Sequence, residues 1–400
     1  MRSGEFSRFS DRFEYHPGQN ELYKTLEEIK NSSEDWIDLT LSNPTKSGLI
    51  YPSEAILHSL SKAESLEYDP DPRGLLSARK AVVEYYREKE ILYSPEDLFL
   101  TSSSSEAYSY LIKLLCNPKD RILIPSPGYP LFEFLSLLDG VEFESYSLEE
   151  NRNWSIDFQD LESKISENTK IVFVVSPNNP SGSILSPEDF SRLENLAIEK
   201  GFSIIIDEVF SDYIHDKKEH IPKTKSSKAP VFVVNGISKI LALPQMKLSW
   251  IHIDGPDDWK EECKERLEII ADTYLGLSTP IQIALPDLFQ WRKMIQSQIQ
   301  RRIGRNLSVL EESANNENLI RYNPPLAGWY AILRSECFDP DEEICVRLLK
   351  EKKVLVHPGS MFGFAEGSGN LVLSLLSEPD PFREGIERII DFAKSIRNRA

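Results

Sequence analysis

The sequence has few cysteines, four in 400 residues, and none of them forms a C-x-x-C pair. Scattered cysteines favour neither a structural zinc site nor a disulfide framework, so we predict no metal site. No run approaches the roughly 18 apolar residues that a membrane helix needs, and the first residues lack the apolar core of a signal peptide. We therefore expect a cytoplasmic protein with no membrane partner.

Positive charge is also scarce, because 46 lysines and arginines face 64 aspartates and glutamates, giving a net charge of −18. The summed field of such a protein repels polyanions, so we expect no nucleic-acid partner. Small anions can still bind in local basic pockets. The hydrophobic content of 40% is enough for a large core, and the length favours a large domain with a smaller companion.

Short runs of β-favouring residues recur from the first quarter of the chain onward. Most are continuously apolar, as expected of strands covered on both faces. Helical patterns at 105–116 and 186–201 lie between them. This alternation predicts an α/β domain with a mostly parallel seven-stranded sheet flanked by helices. The seven runs are 98–101, 121–125, 141–146, 171–175, 203–207, 231–234 and 248–253.

The pattern changes from about residue 280, where a long helical segment is followed by short strand-like runs and a terminal helix. We predict a large α/β domain at 51–279 and a smaller α+β domain at 280–400. The segment 1–50 carries its own strand-like run, "WIDLTLSNPT", before the parallel unit begins. We expect this segment to pack with the smaller domain.

Polar or aromatic residues follow most of the apolar runs, at the edge where an open α/β sheet binds its ligands. Serines after 98–101 open a helix whose free N–H groups favour a phosphate, although Ser103 and Glu106 also fit a helix-capping pattern. Asp207 ends a strand too apolar to leave its carboxylate solvated, so we expect a cationic partner. The whole set is Ser103, Ser104, Tyr129, Asn179, Asp207 and Lys239.

A phosphate site, a flat aromatic ring, an amide, a carboxylate and a lysine suit one kind of ligand, a planar, phosphorylated pyridine aldehyde. The lysine amine can condense with the aldehyde as a Schiff base. The carboxylate can keep the ring nitrogen protonated, so that the ring accepts electrons from a substrate carbanion. The sequence therefore predicts pyridoxal 5'-phosphate as the cofactor.

The chain also resembles the class I/II aminotransferases, the fold-type-I family of enzymes that depend on pyridoxal phosphate. The resemblance spans nearly the whole chain. Its most specific parts are "NNPSG", "DEVF" and "SK" followed by a cation eight residues later. It implies an aminotransferase that moves an amino group between an amino acid and a 2-oxo acid. The other matching stretches are "LTLSNPT", "YDPDPRGLLSARKAV", "SSSSEAY", "PSPGYPLF", "GISKILALPQMKLSW", "GWYAILR" and "VLVHPGSMFGF".

The resemblance also implies a role for each matching residue. Lys239 would form the Schiff base and later shuttle the proton, and Asp207 would pair with the pyridine nitrogen. Asn179 would bond the phenolic oxygen of the cofactor, and Tyr129 would stack on its ring. The implied phosphate ligands are Ser103, Ser104, Ser238 and Lys247.

A second subunit is implied by Tyr68, which matches a tyrosine that reaches the phosphate of the partner subunit in this family. We therefore expect a homodimer with shared active sites. The candidates for substrate binding are Asn43, Arg73 and Arg334.

Four positions depart from the family pattern. Lys247 stands where arginine is usual, and an ammonium lacks the bidentate fork of a guanidinium. Gly236 replaces a hydroxyl residue three positions before Lys239. Phe210 replaces a tyrosine that donates to the phenolic oxygen. Val372 occupies the place of the arginine that grips the substrate's α-carboxylate, so another cation must supply that contact or the substrate is not a simple α-amino acid.

The same residues allow other interpretations. A β-lyase acting on carbon–sulfur bonds would share every residue named above, because the two reactions differ only after the substrate proton has been removed. A cofactor-binding sensor without catalytic activity would need an N-terminal DNA-binding domain, for which the sequence before residue 40 leaves no room. A nicotinamide dehydrogenase would need a G-x-G-x-x-G after a strand, and none is present.

Overall fold

The structure is a computed structural model, and it describes residues 10, 12, 20–32, 34–215, 226, 228–316, 319–365 and 367–398. These residues form strands β1 (Ile37–Asp38), β2 (Leu98–Thr101), β3 (Arg121–Ser126), β4 (Glu142–Glu149), β5 (Ser155–Ile156), β6 (Thr169–Val175), β7 (Ser203–Asp207), β8 (Val231–Gly236), β9 (Ser249–Asp254), β10 (Arg321–Tyr322), β11 (Tyr330–Arg334), β12 (Val354–Leu355), β13 (His357–Pro358) and β14 (Asn370–Ser374).

The α-helices of the described residues cover and connect these strands. They are α1 (Glu21–Ser32), α2 (Ser53–Leu60), α3 (Leu76–Arg87), α4 (Ser104–Leu115), α5 (Leu131–Asp139), α6 (Phe158–Lys164), α7 (Pro187–Lys200), α8 (Ile237–Ile240), α9 (Asp257–Thr273), α10 (Thr279–Gln290), α11 (Arg292–Asn316), α12 (Asp341–Lys352) and α13 (Pro379–Arg397). None of the described helices is both long enough and apolar enough to cross a membrane.

The main sheet has eight strands in the order β2-β9-β8-β7-β6-β3-β4-β5. The five neighbours from β8 to β4 are parallel to one another, whereas β9 is antiparallel to both β8 and β2. The predicted α/β sheet is therefore confirmed. The eighth strand, β5, was not predicted, because its two residues are too few to show any periodicity.

The sheet is buried on both faces, as its apolar runs indicate. Neighbouring residues of a central strand join two different hydrophobic clusters, with Phe173 on one face and Val172 and Val174 on the other. Fully burying a side chain of this kind stabilises a fold by about 1.5 to 3 kcal/mol. Packing on both faces fixes the carboxyl ends of the parallel strands relative to one another.

A second, smaller sheet has the order β10-β11-β14-β13, and β1 pairs in parallel with β12 nearby. Helix α1 contacts α12, so the described part of the N-terminal segment packs on C-terminal elements. Helix α10 instead contacts α2 and α3, on the side of the main sheet. The division of the chain at residues 50 and 280 stays a prediction.

Candidate active site

The carboxyl ends of β6, β7 and β8 bring the predicted site residues together at one edge. Val175 pairs with Asp207, and Asp207 pairs with Val234 on the next strand. Helix α8 starts directly after β8 and carries Lys239 in its single turn. The edge therefore presents a carboxylate and an amine from neighbouring strands, as the order of elements predicts.

Asp207 is buried, with 6% of its surface exposed. Its carboxylate accepts a hydrogen bond from the Tyr108 hydroxyl and one of 2.9 Å from the backbone N–H of Val209. Burial raises the pKa of this carboxyl to about 6, while both hydrogen bonds and the charge of Lys239 act in the opposite direction. The groups that bond the Asp207 carboxylate directly are thus a phenol and a backbone amide. The cation expected from the sequence, Lys239, acts on it only through its charge.

Lys239 places its ammonium group among aromatic rings. Its Nζ lies 4.7 Å from the ring centre of Trp329 and 5.4 Å from that of Phe210. Burial lowers the pKa of this amine to about 8, and the charge of Asp207 only partly opposes that effect. In a sizeable fraction of the molecules, Lys239 is therefore a neutral amine near pH 7.5, as a nucleophile or general base requires.

Helix α4 points its amino end toward the same edge. Ser103 caps the helix by accepting a 3.1 Å hydrogen bond from the N–H of Glu106, and the Glu106 carboxylate accepts one of 2.6 Å from the N–H of Ser102. The capping pattern is therefore present. It leaves the Ser103 hydroxyl proton, and the first free N–H groups of the helix, able to donate to an anion.

The loop after β6 carries the predicted amide. Its backbone is anchored to the edge by a 2.9 Å hydrogen bond from the N–H of Ser176 to the carbonyl of Asp207. Asn179 is buried, with 7% exposed, and its Oδ1 has no hydrogen-bond partner among the residues that the structure describes. A buried polar atom without a partner is costly, so this side chain fits a site that binds a polar group.

The remaining predicted cofactor residues differ in exposure. Tyr129, in the turn after β3, is 42% exposed, and Asp207 helps burial to raise the pKa of its phenol. Ser238 is half-buried beside Lys239, whereas Lys247 is exposed and has a left-handed backbone conformation with φ 54°. Tyr68 has 74% of its surface exposed.

The substrate-binding candidates already have other partners. The Arg73 guanidinium pairs with Glu268 and donates a 3.1 Å hydrogen bond to the carbonyl of Glu96. Arg334 pairs with Glu150 at 2.6 Å. Asn43 accepts two hydrogen bonds from Thr45, of 3.0 and 2.7 Å, and so caps a short 3-10 helix. The geometry gives each of these three side chains a local structural role, and their proposed role in substrate binding stays a prediction.

Val372 is fully buried on the small sheet, opposite Ile332 and His357. It packs in a cluster with Phe362 and Phe364. The place where the family pattern puts a carboxylate-binding arginine is therefore an apolar wall in this chain.

Sequence reasoning missed two residues of the site, Tyr108 and Trp329. Tyr108 follows Ser104 by four residues and so lies one turn further along the same face of α4. That spacing was a usable signal. Trp329 is fully buried, and it contacts Lys239 from the start of the small-sheet region. No local sequence pattern indicates a contact between residues so far apart in the chain.

Replacing Asp207 with asparagine should stabilise the unloaded protein. Because the pKa of Asp207 is raised to about 6, the folded state binds protons more tightly than the unfolded state, and stability is lost as the pH rises through 6. At pH 9, where Lys239 is mainly neutral, Asp207→Asn should raise the free energy of unfolding by about 2 kcal/mol. Denaturant melts of cofactor-free protein should show this gain shrinking below pH 6 and vanishing near pH 4.

Asp160 provides a control of opposite sign. Burial raises the pKa of its carboxyl, but hydrogen bonds from Lys164 and from the N–H of Ser147 outweigh that effect and leave the pKa below its usual value. Asp160→Asn should therefore lose stability at neutral pH. An Asp207→Asn protein that is less stable than the parent at pH 9 would contradict the assigned cost of burying this carboxylate.

Known proteins resemble this chain over most of its length. The model of the family "Aminotransferase class I and II" matches residues 34–389. The glutamate-pyruvate aminotransferase AlaA of Haemophilus influenzae is 26% identical over 371 residues, which is 89% of this chain and 90% of that protein. The alanine aminotransferase of Mycobacterium tuberculosis is 28% identical over 375 residues, which is 90% of this chain and 86% of that protein.

A solved structure shows the same similarity at the level of the fold. The alanine aminotransferase from Pyrococcus furiosus superimposes with a TM-score of 0.86 at 26% identity, covering 94% of this chain and 96% of that one. The family model covers the main sheet, α8 with Lys239, and the small sheet alike. The chain belongs to the class I and II aminotransferases.

Proposed function

We propose that this aminotransferase binds pyridoxal 5'-phosphate at the edge formed by β6, β7 and β8, with Lys239 as its covalent anchor, and transfers an amino group between an amino acid and a 2-oxo acid. The observation that carries the proposal is that a desolvated amine and a buried carboxylate both lie at the carboxyl ends of the neighbouring strands β8 and β7. The pKa of Lys239 is lowered to about 8 and that of Asp207 is raised to about 6. Such opposite shifts are typical of acid–base sites.

The side chains around this pair fit the cofactor. Asn179 contributes a buried amide whose oxygen has no partner within the described part of the chain. The capped amino end of α4 and the hydroxyls of Ser103, Ser104 and Ser238 suit a phosphate, and Lys247 adds a positive charge. When bound, pyridoxal phosphate supplies an electrophilic aldehyde and a ring that stabilises negative charge on the substrate carbon.

Lys239 performs the proton transfers in this proposal. Its neutral amine would take the proton from the α-carbon of the amino acid and deliver it to the former aldehyde carbon of the cofactor. Trp329 and Phe210 exclude water around Nζ and so hold the amine near its working pKa. Asp207 is fixed by Tyr108 and the N–H of Val209. Its carboxylate would hold the proton on the ring nitrogen of the cofactor.

The proposed enzyme is a homodimer in the cytoplasm. Tyr68 lies 74% exposed on the single chain, which supports a role for it at the phosphate of a partner subunit. The four cysteines are free thiols, in keeping with a reducing compartment. The named relatives are aminotransferases, and they do not favour the carbon–sulfur lyase alternative.

The anchor can be identified directly. Protein loaded with pyridoxal phosphate and reduced with borohydride should carry a pyridoxyl group on Lys239 in a peptide digest read by mass spectrometry. The Lys239→Ala protein provides the matched control and should remain unlabelled at every lysine. A label on Lys247, or none, would contradict the proposed anchor.

Phe210→Tyr should change how the loaded protein titrates. Phe210 is buried and lies close to Lys239, and its ring offers no donor to the cofactor's phenolic oxygen. A tyrosine hydroxyl there would stabilise the phenolate. The pKa of the Lys239 nitrogen in the loaded protein should therefore fall by about one unit. The visible absorbance against pH measures this shift. An unchanged titration would mean that residue 210 does not face the phenolic oxygen.

A further inference from the structure

Gly236 and Ser249 occupy the same space on paired strands. A Cβ atom built on Gly236 would lie 2.2 Å from the Ser249 Oγ and 2.9 Å from the Ser249 Cβ. Real carbon atoms do not approach this closely, so only one of these two positions can carry a side chain. The Ser249 hydroxyl lies where a side chain of residue 236 would begin.

The register of the sheet places Ser249 at the edge described above. It pairs with Gly236 of β8 on one side and with Thr101 of β2 on the other. Because β9 is antiparallel to both neighbours, its first residue lies at their carboxyl ends. Ser103, the cap of α4, follows Thr101 by two residues, and Lys239 follows Gly236 by three.

Two hydrogen bonds fix the residues next to Ser249 relative to these two elements. The N–H of Ile237, the first residue of α8, donates a 3.0 Å hydrogen bond to the carbonyl of Leu248. The Thr101 hydroxyl donates one of 3.1 Å to the carbonyl of Ser103. Ser249 has only 2% of its surface exposed, so its hydroxyl is part of a fixed arrangement between the start of α4 and the start of α8.

We propose that Ser249 supplies to the cofactor phosphate the hydroxyl that the family pattern places at position 236. The side chain has moved from one strand to its neighbour, and Gly236 is required because Ser249 fills its place. This inference rests on the proposed binding of pyridoxal phosphate. It makes Ser249 a binding residue of the phosphate site, although it lies ten positions beyond Lys239 and the sequence assigns no role to it.

The test compares two ligands that differ only in the phosphate. Removing a hydroxyl that donates to a charged oxygen should weaken binding about tenfold to a hundredfold. In Ser249→Ala we expect this loss for pyridoxal phosphate, and little change for pyridoxal, measured by titrating absorbance of the cofactor-free protein. Ser203→Ala is the matched control, since Ser203 is a buried serine at the opposite end of β7.

A side-chain exchange provides the second arm of the test. Gly236→Ser alone should lower thermal stability and weaken pyridoxal phosphate binding, because of the 2.2 Å contact. Adding Ser249→Gly removes both contacts with the serine and leaves a 3.0 Å approach to the carbonyl of Leu248. The double variant should regain at least part of the preference for the phosphorylated ligand over pyridoxal.

The outcomes separate this inference from the function on which it rests. A parent protein that does not prefer pyridoxal phosphate to pyridoxal would contradict the proposed cofactor site itself. A parent with that preference, together with a Ser249→Ala variant in which the ratio of the two affinities is unchanged, would overturn only the role of Ser249. An equal loss for both ligands would also overturn it, because it would indicate a structural defect.

Discussion

Lys239→Ala should remain folded and lose about 1,000- to 10,000-fold in turnover. The variant lacks the amine that we propose as both covalent anchor and general base, and a positioned base alone contributes about 100- to 10,000-fold. The fold should tolerate the change, because the Lys239 ammonium contacts the faces of Phe210 and Trp329 and its burial is already unfavourable. Initial rates of amino transfer at saturating amino acid and 2-oxo acid measure the loss.

Lys239→Arg provides the control for this prediction. It keeps a positive charge near the two aromatic rings but supplies no amine that can be neutral at working pH. It should be as inactive as the alanine variant. Thermal melts should show both variants folded. Turnover within tenfold of the parent in either one would contradict the assignment of Lys239.

Asp207→Asn should lower kcat by about 100- to 1,000-fold. In the proposed site the carboxylate would stabilise positive charge on the ring nitrogen, and removing one such preorganised electrostatic contact costs about this much in other enzymes. An amide keeps the shape of the side chain, and the Tyr108 hydroxyl can turn to accept a hydrogen bond from it. The effect should therefore appear in kcat, with little change in the amount of cofactor bound.

Asp207→Glu keeps the charge and moves it by one methylene, so it should retain more activity than Asp207→Asn. The unloaded Asp207→Asn protein should meanwhile be more stable than the parent. Lower activity combined with higher stability is what we expect where a buried charge serves the reaction at the expense of the fold. A large loss of both activity and stability would instead indicate that Asp207 is a structural residue.

Much of the fold could be predicted from the sequence, because continuous apolar runs mark strands that are buried on both faces. The runs 98–101 and 203–207 coincide with β2 and β7, and the helical patterns at 105–116 and 186–201 match α4 and α7 to within one residue at each end. The ends of some strands differ from the prediction. β4 extends to Glu149, beyond the predicted 141–146, because it is a half-exposed strand near the sheet edge and its side chains are mostly polar.

The site was predictable where one residue directly follows one strand, as Asp207 and Lys239 do. It was not predictable where a contact joins distant segments. Tyr108 reaches Asp207 from a helix 99 positions earlier in the chain, and the Glu268 partner of Arg73 is 195 positions away. The close approach of Gly236 and Ser249 depends on strand register, which the apolar pattern of β8 and β9 does not specify.

The apolar wall around Val372 bears on the choice of substrate. Ile332 and His357 lie opposite Val372, and Phe362 and Phe364 pack against it. Burial lowers the pKa of the His357 imidazole and so favours its neutral form. A carboxylate held there would therefore be desolvated without a permanently charged partner among these neighbours. The family arginine is absent from the sequence at this position. A comparison of amino acids with the corresponding amines that lack the carboxylate therefore belongs in any study of specificity.

The most direct test of the central claim is a half-reaction. The protein loaded with pyridoxal phosphate is mixed with single L-amino acids, without any 2-oxo acid, while its visible absorbance is followed. An aminotransferase should convert the cofactor to pyridoxamine phosphate once per active site, release one 2-oxo acid, and stop. Continued release of ammonia and 2-oxo acid with the original absorbance retained, or no change with any amino acid, would contradict the account.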